Sequence, residues 1–330
     1  MDDFPAFLEA MRGKELLHLG HKDADCDALG SAYTMSRVLP GDVGFANGLK
    51  APAQDLADHL GFYALINPDP SAYEYTIIYD TLSLPLLGLP LPPRYALFDH
   101  HEPGGHRFAS FNSQLAKGAE WTFVEPVEST CSILVDLFQA HDVTIDPDMG
   151  LAMAAGIVTD TIWLRNAHAG TLRRLAVTLE AAGLYIEDVL AVVNNSGRKT
   201  ARRPVVLDAL RAMKERHVRG RSILAVVTNS LDDGFAVMET LWHLGGDVCI
   251  VGFPKGAQTM VMAEVDGGLV ERTGVDMARL MEDLAPQVNA SETWGTRALG
   301  RIIAPASEER LVDLCIQAVA NIFENLPPRV

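Results

Sequence analysis

Cysteine is scarce in this 330-residue chain: Cys26, Cys131, Cys249 and Cys315 lie far apart and form no C-x-x-C pair. That excludes a disulfide framework and a cysteine-rich zinc site, and it predicts a reducing, cytoplasmic setting. Long apolar runs are missing too. None approaches the ~18 residues needed to span a bilayer, and the leucine-rich stretch 82–91 is interrupted by Pro85 and Pro90, so it is expected to be a loop or turn. No membrane partner is expected, and the opening Met-Asp-Asp-Phe-Pro is acidic where a signal peptide would be basic. Positive charge is the third shortage: 27 Lys and Arg stand against 43 Asp and Glu, a formal net charge of −16. Such a surface repels long polyanions. Long duplex nucleic acid is therefore excluded, and any nucleic-acid substrate must be short, or held by a local basic patch or by metal ions.

What is present is a chain long enough for about two domains, with 48% hydrophobic residues to build their cores. Short apolar runs alternate with helical patterns, as in a βα chain with a mostly parallel sheet. Residues 15–19 read as a strand, 21–25 as a polar turn and 26–39 as a helix. Two β-rich runs, 75–79 and 95–98, are each followed at once by an acid, Asp80 and Asp99. Open α/β sheets place their ligands at such strand ends. Helices are expected at 129–141, 147–158, 171–182 and 186–195, with Gly183 as a cap. The composition then changes: residues 198–221 hold nine Lys and Arg against Asp208 and Glu215. A second βα pattern follows, with strands at 223–228, 248–253 and 259–265 and helices at 234–244, 275–284 and 308–325. The expected organisation is an α/β N-terminal domain over 1–196, a linker at 197–206, and a smaller α/β domain over 207–330.

Three stretches carry chemistry. His21-Lys-Asp-Ala-Asp25-Cys-Asp27 puts an imidazole and alternating carboxylates in one turn after a strand. Oxygen and imidazole donors without thiolate pairs suit Mn²⁺, Mg²⁺ or a similar cation, although acids before a helix also serve as caps. Phe98-Asp99-His100-His101 sets adjacent histidines directly after a strand, which packing explains poorly. Asp160, in Thr159-Asp160-Thr161, ends an apolar helical run.

Together with Asp80, these stretches resemble the DHH phosphoesterase superfamily: H-x-x-x-D-x-D-x-x-G-S at His21 to Ser31, then Asp80, Asp99 to His101, and T-D-T at Thr159 to Thr161. The group includes RecJ exonucleases, oligoribonuclease/pAp phosphatases, cyclic-dinucleotide phosphodiesterases, and family II pyrophosphatases and exopolyphosphatases. The resemblance covers about residues 14–195 well and the remainder by layout only. It implies two divalent ions, Mn²⁺ first and Mg²⁺ or Co²⁺ as alternatives. His21, Asp25 and Asp80 would hold one, and Asp27, Asp80, His100 and Asp160 the other, with Asp80 bridging. It further implies that His101 donates to a substrate phosphate and that Asp99 orients a neighbouring histidine. Asp99 also reads as a strand-end turn residue.

The remaining residues are open at this stage. Arg165 reads either as a phosphate contact or as a surface ion pair. Cys26 is expected to pack at the helix start and His18 in the core. His106 is expected in an exposed loop. Trp163, Trp242 and Trp294 read as base-stacking rings or as core. The basic stretch is either a solvated face or a phosphate-attracting funnel. The second domain resembles the DHH-associated domain without its glycine-rich, histidine-containing signature. Its nearest equivalent is Trp294-Gly-Thr-Arg297-Ala-Leu-Gly300, which makes Arg297 the candidate phosphate ligand. The expected activity is two-metal hydrolysis of a phosphoester in a small phosphorylated substrate or short single-stranded oligonucleotide, oligoribonucleotides or pAp-like nucleotides foremost. Pyrophosphate or polyphosphate and cyclic dinucleotides are the alternatives. A non-catalytic nucleotide-binding regulator is the reading from another class, and a homodimer is compatible with each.

Overall fold

The computed structural model describes residues 2–101, 114–193 and 196–327. The chain divides into two compact units, the first ending at Ser196 and the second beginning at Gly197.

The first unit is built on six strands: β1 (Leu16–Leu19), β2 (Asp42–Phe45), β3 (Leu65–Ile66), β4 (Tyr75–Tyr79), β5 (Tyr95–Asp99) and β6 (Trp121–Val124). All pair in parallel, in the order β3-β2-β1-β4-β5-β6. Every residue of β1, β4 and β5 is buried. That is why these strands read as nearly continuous apolar runs rather than as alternating ones: helices shield both faces of a parallel sheet. Strand order reverses between β1 and β4, so their carboxyl ends flank the crevice where such sheets place ligands. Phe4, Phe7, Phe98 and Phe123 fill part of the core beneath, with Phe98 and Phe123 stacked at 4.4 Å.

The second unit carries β7 (Lys214–Val218), β8 (Arg221–Val227), β9 (Val248–Lys255), β10 (Gln258–Val265), β11 (Glu292–Gly295) and β12 (Leu299–Ala304) in the order β11-β12-β10-β9-β8-β7. Only β8 and β9 are parallel; the other pairs are antiparallel. Thus the fold is α/β, with a fully parallel sheet first and a mixed one second.

Residues 197–206, read as a linker, follow the boundary between the units and lie within the helix Ser196–Arg211, which tolerates Pro204. The Arg, Lys and Ala content that signalled a solvated linker also favours helix. The stretch 82–91 is mostly irregular but includes one helical turn, Leu84–Leu87, capped by Ser83 and ended by Gly88 in the left-handed conformation. No helix among the described residues is long and apolar enough to cross a membrane.

Candidate metal centre

Four carboxylates and two histidines converge at the strand ends of the first unit. His21 follows β1, Asp80 follows β4, and Asp99 closes β5 with His100 and His101 just beyond. Asp25 caps the helix Cys26–Val38 and Asp27 lies in its first turn. Asp160 is the last residue of the helix Pro147–Asp160. Two donor groups result, His21 with Asp25 and Asp80, and Asp27 with His100 and Asp160; a third, overlapping group joins Asp80, His100 and His101.

The distances describe ligands around cations better than hydrogen bonds. His21 Nε2 lies 3.5 Å from Asp25 Oδ2 and 3.4 Å from Asp80 Oδ2. His100 Nε2 lies 3.3 Å from Asp80 Oδ1 and 3.4 Å from Asp160 Oδ2. These are long for charge-assisted hydrogen bonds, but suit two atoms that each reach a common cation at ~2.1 Å. Both imidazoles are aimed from behind: Nδ1 of His21 donates to Lys22 O at 2.8 Å, and Nδ1 of His100 to Val127 O at 3.1 Å. Fixing the proton on Nδ1 leaves the Nε2 lone pair facing the carboxylates, the tautomer a metal ligand needs. Asp80 offers one oxygen to each side, as a bridging carboxylate would, and holds φ +58°. The site fits two oxygen- and nitrogen-seeking divalent ions.

Asp27 is held most tightly. Its Oδ2 accepts from Thr130 N at 2.7 Å and its Oδ1 from Cys131 N at 2.9 Å, at the start of the helix Thr130–Ala140. The exposed N–H groups and dipole of that helix end favour an anion. Yet burial, reinforced by the Asp80 and Asp160 carboxylates, pushes its pKa up to about 8. Desolvation first, then Asp80 and Asp25, raises Asp160 to about 6, although 31% of its side chain is exposed at the rim. Burial opposes charge on His21, but Asp25 and Asp80 outweigh it and raise the imidazole well above its ordinary value; Asp80 and Asp160 do the same for His100. Asp25 stays well below the carboxylate range despite burial, because His21 and the Lys50 ammonium, 3.1 Å away, oppose protonation. The shifts follow from donors of like charge crowded together, an arrangement that divalent cations would balance.

Asp99 is fully buried and accepts from His101 Nδ1 at 2.6 Å and from His101 N at 2.9 Å, so the histidine it orients is His101. Burial disfavours the charged imidazole, but the Asp99 hydrogen bond and charge raise its pKa on balance. Cys26 is buried at the helix start, its thiol pushed up by burial. His18 is buried between Tyr79 Oη and Leu39 O at 2.8 and 2.9 Å, and burial lowers it to about 4. Trp163 packs against the first core and Trp242 against the second unit's.

Arg165 sits in an unusual turn directly after Asp160, in which Ile162, Trp163 and Leu164 hold φ +52°, +58° and +64°. Arg297 lies in the second unit, where its guanidinium meets Val270 O at 3.3 Å and Glu271 at 3.6 Å. His106 lies outside the described residues. Sequence reasoning missed the supports: Lys50, the Val127–Cys131 backbone, and Gly156. A Cβ on Gly156 would lie 2.5 Å from Cys131 Sγ and 3.0 Å from Asp27 Oδ1, so glycine there lets the Asp160 helix close on Asp27. Arg174 braces the same corner, pairing with Asp136 at 2.8 Å and with Glu128 at 3.0 Å just before the Ser129 cap.

No protein-family model matches the chain. Over 235 residues it is 24% identical to a Streptococcus equi protein named "Probable manganese-dependent inorganic pyrophosphatase", covering 66% of this chain and 72% of that one. An exopolyphosphatase-related protein of Bacteroides fragilis shares the fold at TM-score 0.74 and 14% identity, over 96% of this chain and 95% of the other. RecJ of Thermus thermophilus, solved with Mn²⁺, aligns at TM-score 0.51 and 12% identity over 98% of this chain and 55% of RecJ. The chain is thus similar in sequence to a named pyrophosphatase and in fold to an exopolyphosphatase-related protein and to RecJ, and it carries in order, at strand and helix ends, the four motifs by which it resembles the DHH phosphoesterase superfamily.

Proposed function

We propose that the protein is a metal-dependent phosphoesterase that cleaves short oligoribonucleotides or pAp-like nucleotides. The observation that carries the hydrolytic reading is Asp80, whose two oxygens face two separate histidine-carboxylate groups. A binding protein has no need of such a doubled centre. Two divalent ions, Mn²⁺ foremost, would supply water activation and charge neutralisation at the phosphoryl oxygens. The chain's own groups do the rest. His21 and Asp25 would hold one ion and Asp27, His100 and Asp160 the other, with Asp80 able to reach both. Asp27, fixed by two backbone N–H groups, keeps its side of the centre from shifting as charge moves. His101, oriented by Asp99 through Nδ1, donates in its protonated form from Nε2 to a phosphoryl oxygen.

The nucleotide reading is supported by how few cations serve the donor set: among the described residues, Lys50 is the Lys or Arg ion-paired to it. A pyrophosphatase, whose substrate carries more charge per atom, calls for more. The curated relatives favour that second reading nonetheless. Chromatographic product analysis tests both, with the Mn²⁺-loaded protein given a ribodinucleotide, pAp and pyrophosphate in separate reactions. Mononucleotides or AMP with pyrophosphate left intact are expected; pyrophosphate cleavage alone overturns the substrate. Asp160→Asn should abolish turnover, whereas a non-catalytic regulator would keep its ligand affinity within a few-fold.

A further inference from the structure

The second unit contains a guanidinium that meets no hydrogen-bond acceptor among the described residues. Arg301, in β12, lies directly across the antiparallel ladder from Trp294 in β11, and its guanidinium sits 5.7 Å from the centroid of the indole. The Lys255 ammonium, on the last residue of β9, lies 5.6 Å from the same ring. Among the described residues, neither Arg301 nor Lys255 forms an ion pair, and Arg301 makes no side-chain hydrogen bond; its Nε is buried without a partner. The charge of Glu264 reaches Arg301 through space only, and burial lowers the arginine's pKa.

Two cations gathered on one ring repel each other, and a mostly buried guanidinium without an acceptor is costly. Such groups are kept where an anion completes them. An arginine presents a planar fork to phosphate, and an indole offers a flat face to a nucleobase. The strand pair that carries them is rigid: Gly295, at φ +156°, lies so close to Leu299 O that no Cβ fits between. Arg297, the candidate from sequence, turns to Val270 and Glu271 instead.

We infer that Trp294, Arg301 and Lys255 form a nucleotide subsite, Arg301 and Lys255 answering a phosphate and Trp294 the base. The identity of the ligand as substrate rests on the proposed phosphoesterase function; the subsite itself rests on the unpaired charge.

Calorimetric titration of the full chain in EDTA, which removes the metal centre's contribution, tests it with AMP, adenosine and inorganic phosphate as probes. The variants are Arg301→Met, Lys255→Met and Trp294→Leu. AMP should bind the parent, and its Kd should rise at least tenfold in Arg301→Met and several-fold in the other two. Phosphate binding should weaken in Arg301→Met and hold in Trp294→Leu, and adenosine should respond in the opposite sense. The melting temperature of Arg301→Met should equal or exceed the parent's, because the variant removes an unpaired buried charge. A merely structural arginine predicts a fall. Absent AMP binding in the parent, unchanged AMP affinity in Arg301→Met, or a melting temperature lower by several degrees would each overturn the inference. Mn²⁺-dependent turnover of bis(p-nitrophenyl) phosphate, a diester without a base, separates the two claims. Turnover without AMP binding removes the subsite and leaves the phosphoesterase; AMP binding without turnover of any diester does the reverse.

Discussion

In the first unit four donors are aimed by something else: His21 and His100 by backbone carbonyls, Asp27 by two amides, His101 by Asp99. In the second unit Arg301 and Lys255 share the Trp294 ring, and among the described residues neither forms an ion pair. The contrast separates two ways of building for a charged ligand. A metal centre must fix its donors within fractions of an ångström, so backbone groups and buried partners hold them. A subsite for a larger anion keeps its charges unpaired, and selectivity follows from what completes them.

The largest expected effect tests the first half of this contrast. Asp80→Asn should remove the shared ligand, lower turnover by at least ~10²–10³-fold, and reduce Mn²⁺ stoichiometry from two to one in equilibrium dialysis; two retained ions would refute the bridge. Asp99→Asn should cost about 10–100-fold in kcat with KM nearly unchanged, and leave Mn²⁺ stoichiometry intact. Parallel losses of metal would instead place His101 among the ligands. Gly156→Ala, by pressing on Cys131 and Asp27, should destabilise by about 1–3 kcal/mol and weaken the ion held by Asp27 more than the other. Competition with a fluorescent chelator reads that difference.

A subtler expectation concerns pH. Asp27 in the metal-free fold holds its proton up to about 8 and Asp160 up to about 6, both above the ordinary 3.8. A carboxyl raised in this way favours the folded chain at low pH and loses that contribution as pH climbs through the raised value. The raised histidines act in the same sense. Between pH 6 and 8 the melting temperature in EDTA should therefore fall, while Mn²⁺ affinity rises as the carboxylates ionise. A flat profile in EDTA would mean that the crowded donors are already relaxed without metal. Lys50→Met should have the smallest effect, under about tenfold on Mn²⁺ affinity, because half-exposed ion pairs contribute little.

The sequence carried the first unit's chemistry plainly and its supports hardly at all. His21, Asp25, Asp27, Asp80 and the Asp99–His101 triplet could be read because side-chain type and spacing carry their meaning locally. The partners of Asp27 could not, since they are backbone amides at Thr130 and Cys131, and every residue but proline has one. The parallel core strands were legible from apolar runs. In contrast, β2, β3, β7, β11 and β12 and the helices Phe4–Met11 and Ala51–His59 escaped, being short, exposed or interrupted by glycine and proline. Local pattern pointed to Arg297 because it lies two residues after Gly295. The pairing of Arg301 with Trp294 arises from antiparallel register, which depends on how the Gly295–Gly300 turn closes.

The backbone after Asp160 winds the wrong way. For a residue with a side chain, each left-handed position costs about 1–2 kcal/mol, and Ile162 is branched at Cβ, the least tolerant shape of all. What holds the reversal is local: Trp163 N bonds Val158 O at 2.8 Å, Asn166 N bonds Thr161 O, and the Thr161 hydroxyl bonds back to Ile157 O at 2.7 Å. Glycine at 162 would be welcome to the backbone, so its absence is a choice in favour of stiffness: a glycine there would also let the segment sample right-handed turns. The chain thus spends conformational comfort on a fixed exit from the helix. Drift at this position is expected to trade a gain in thermal stability against a looser seat for the carboxylate two residues before it.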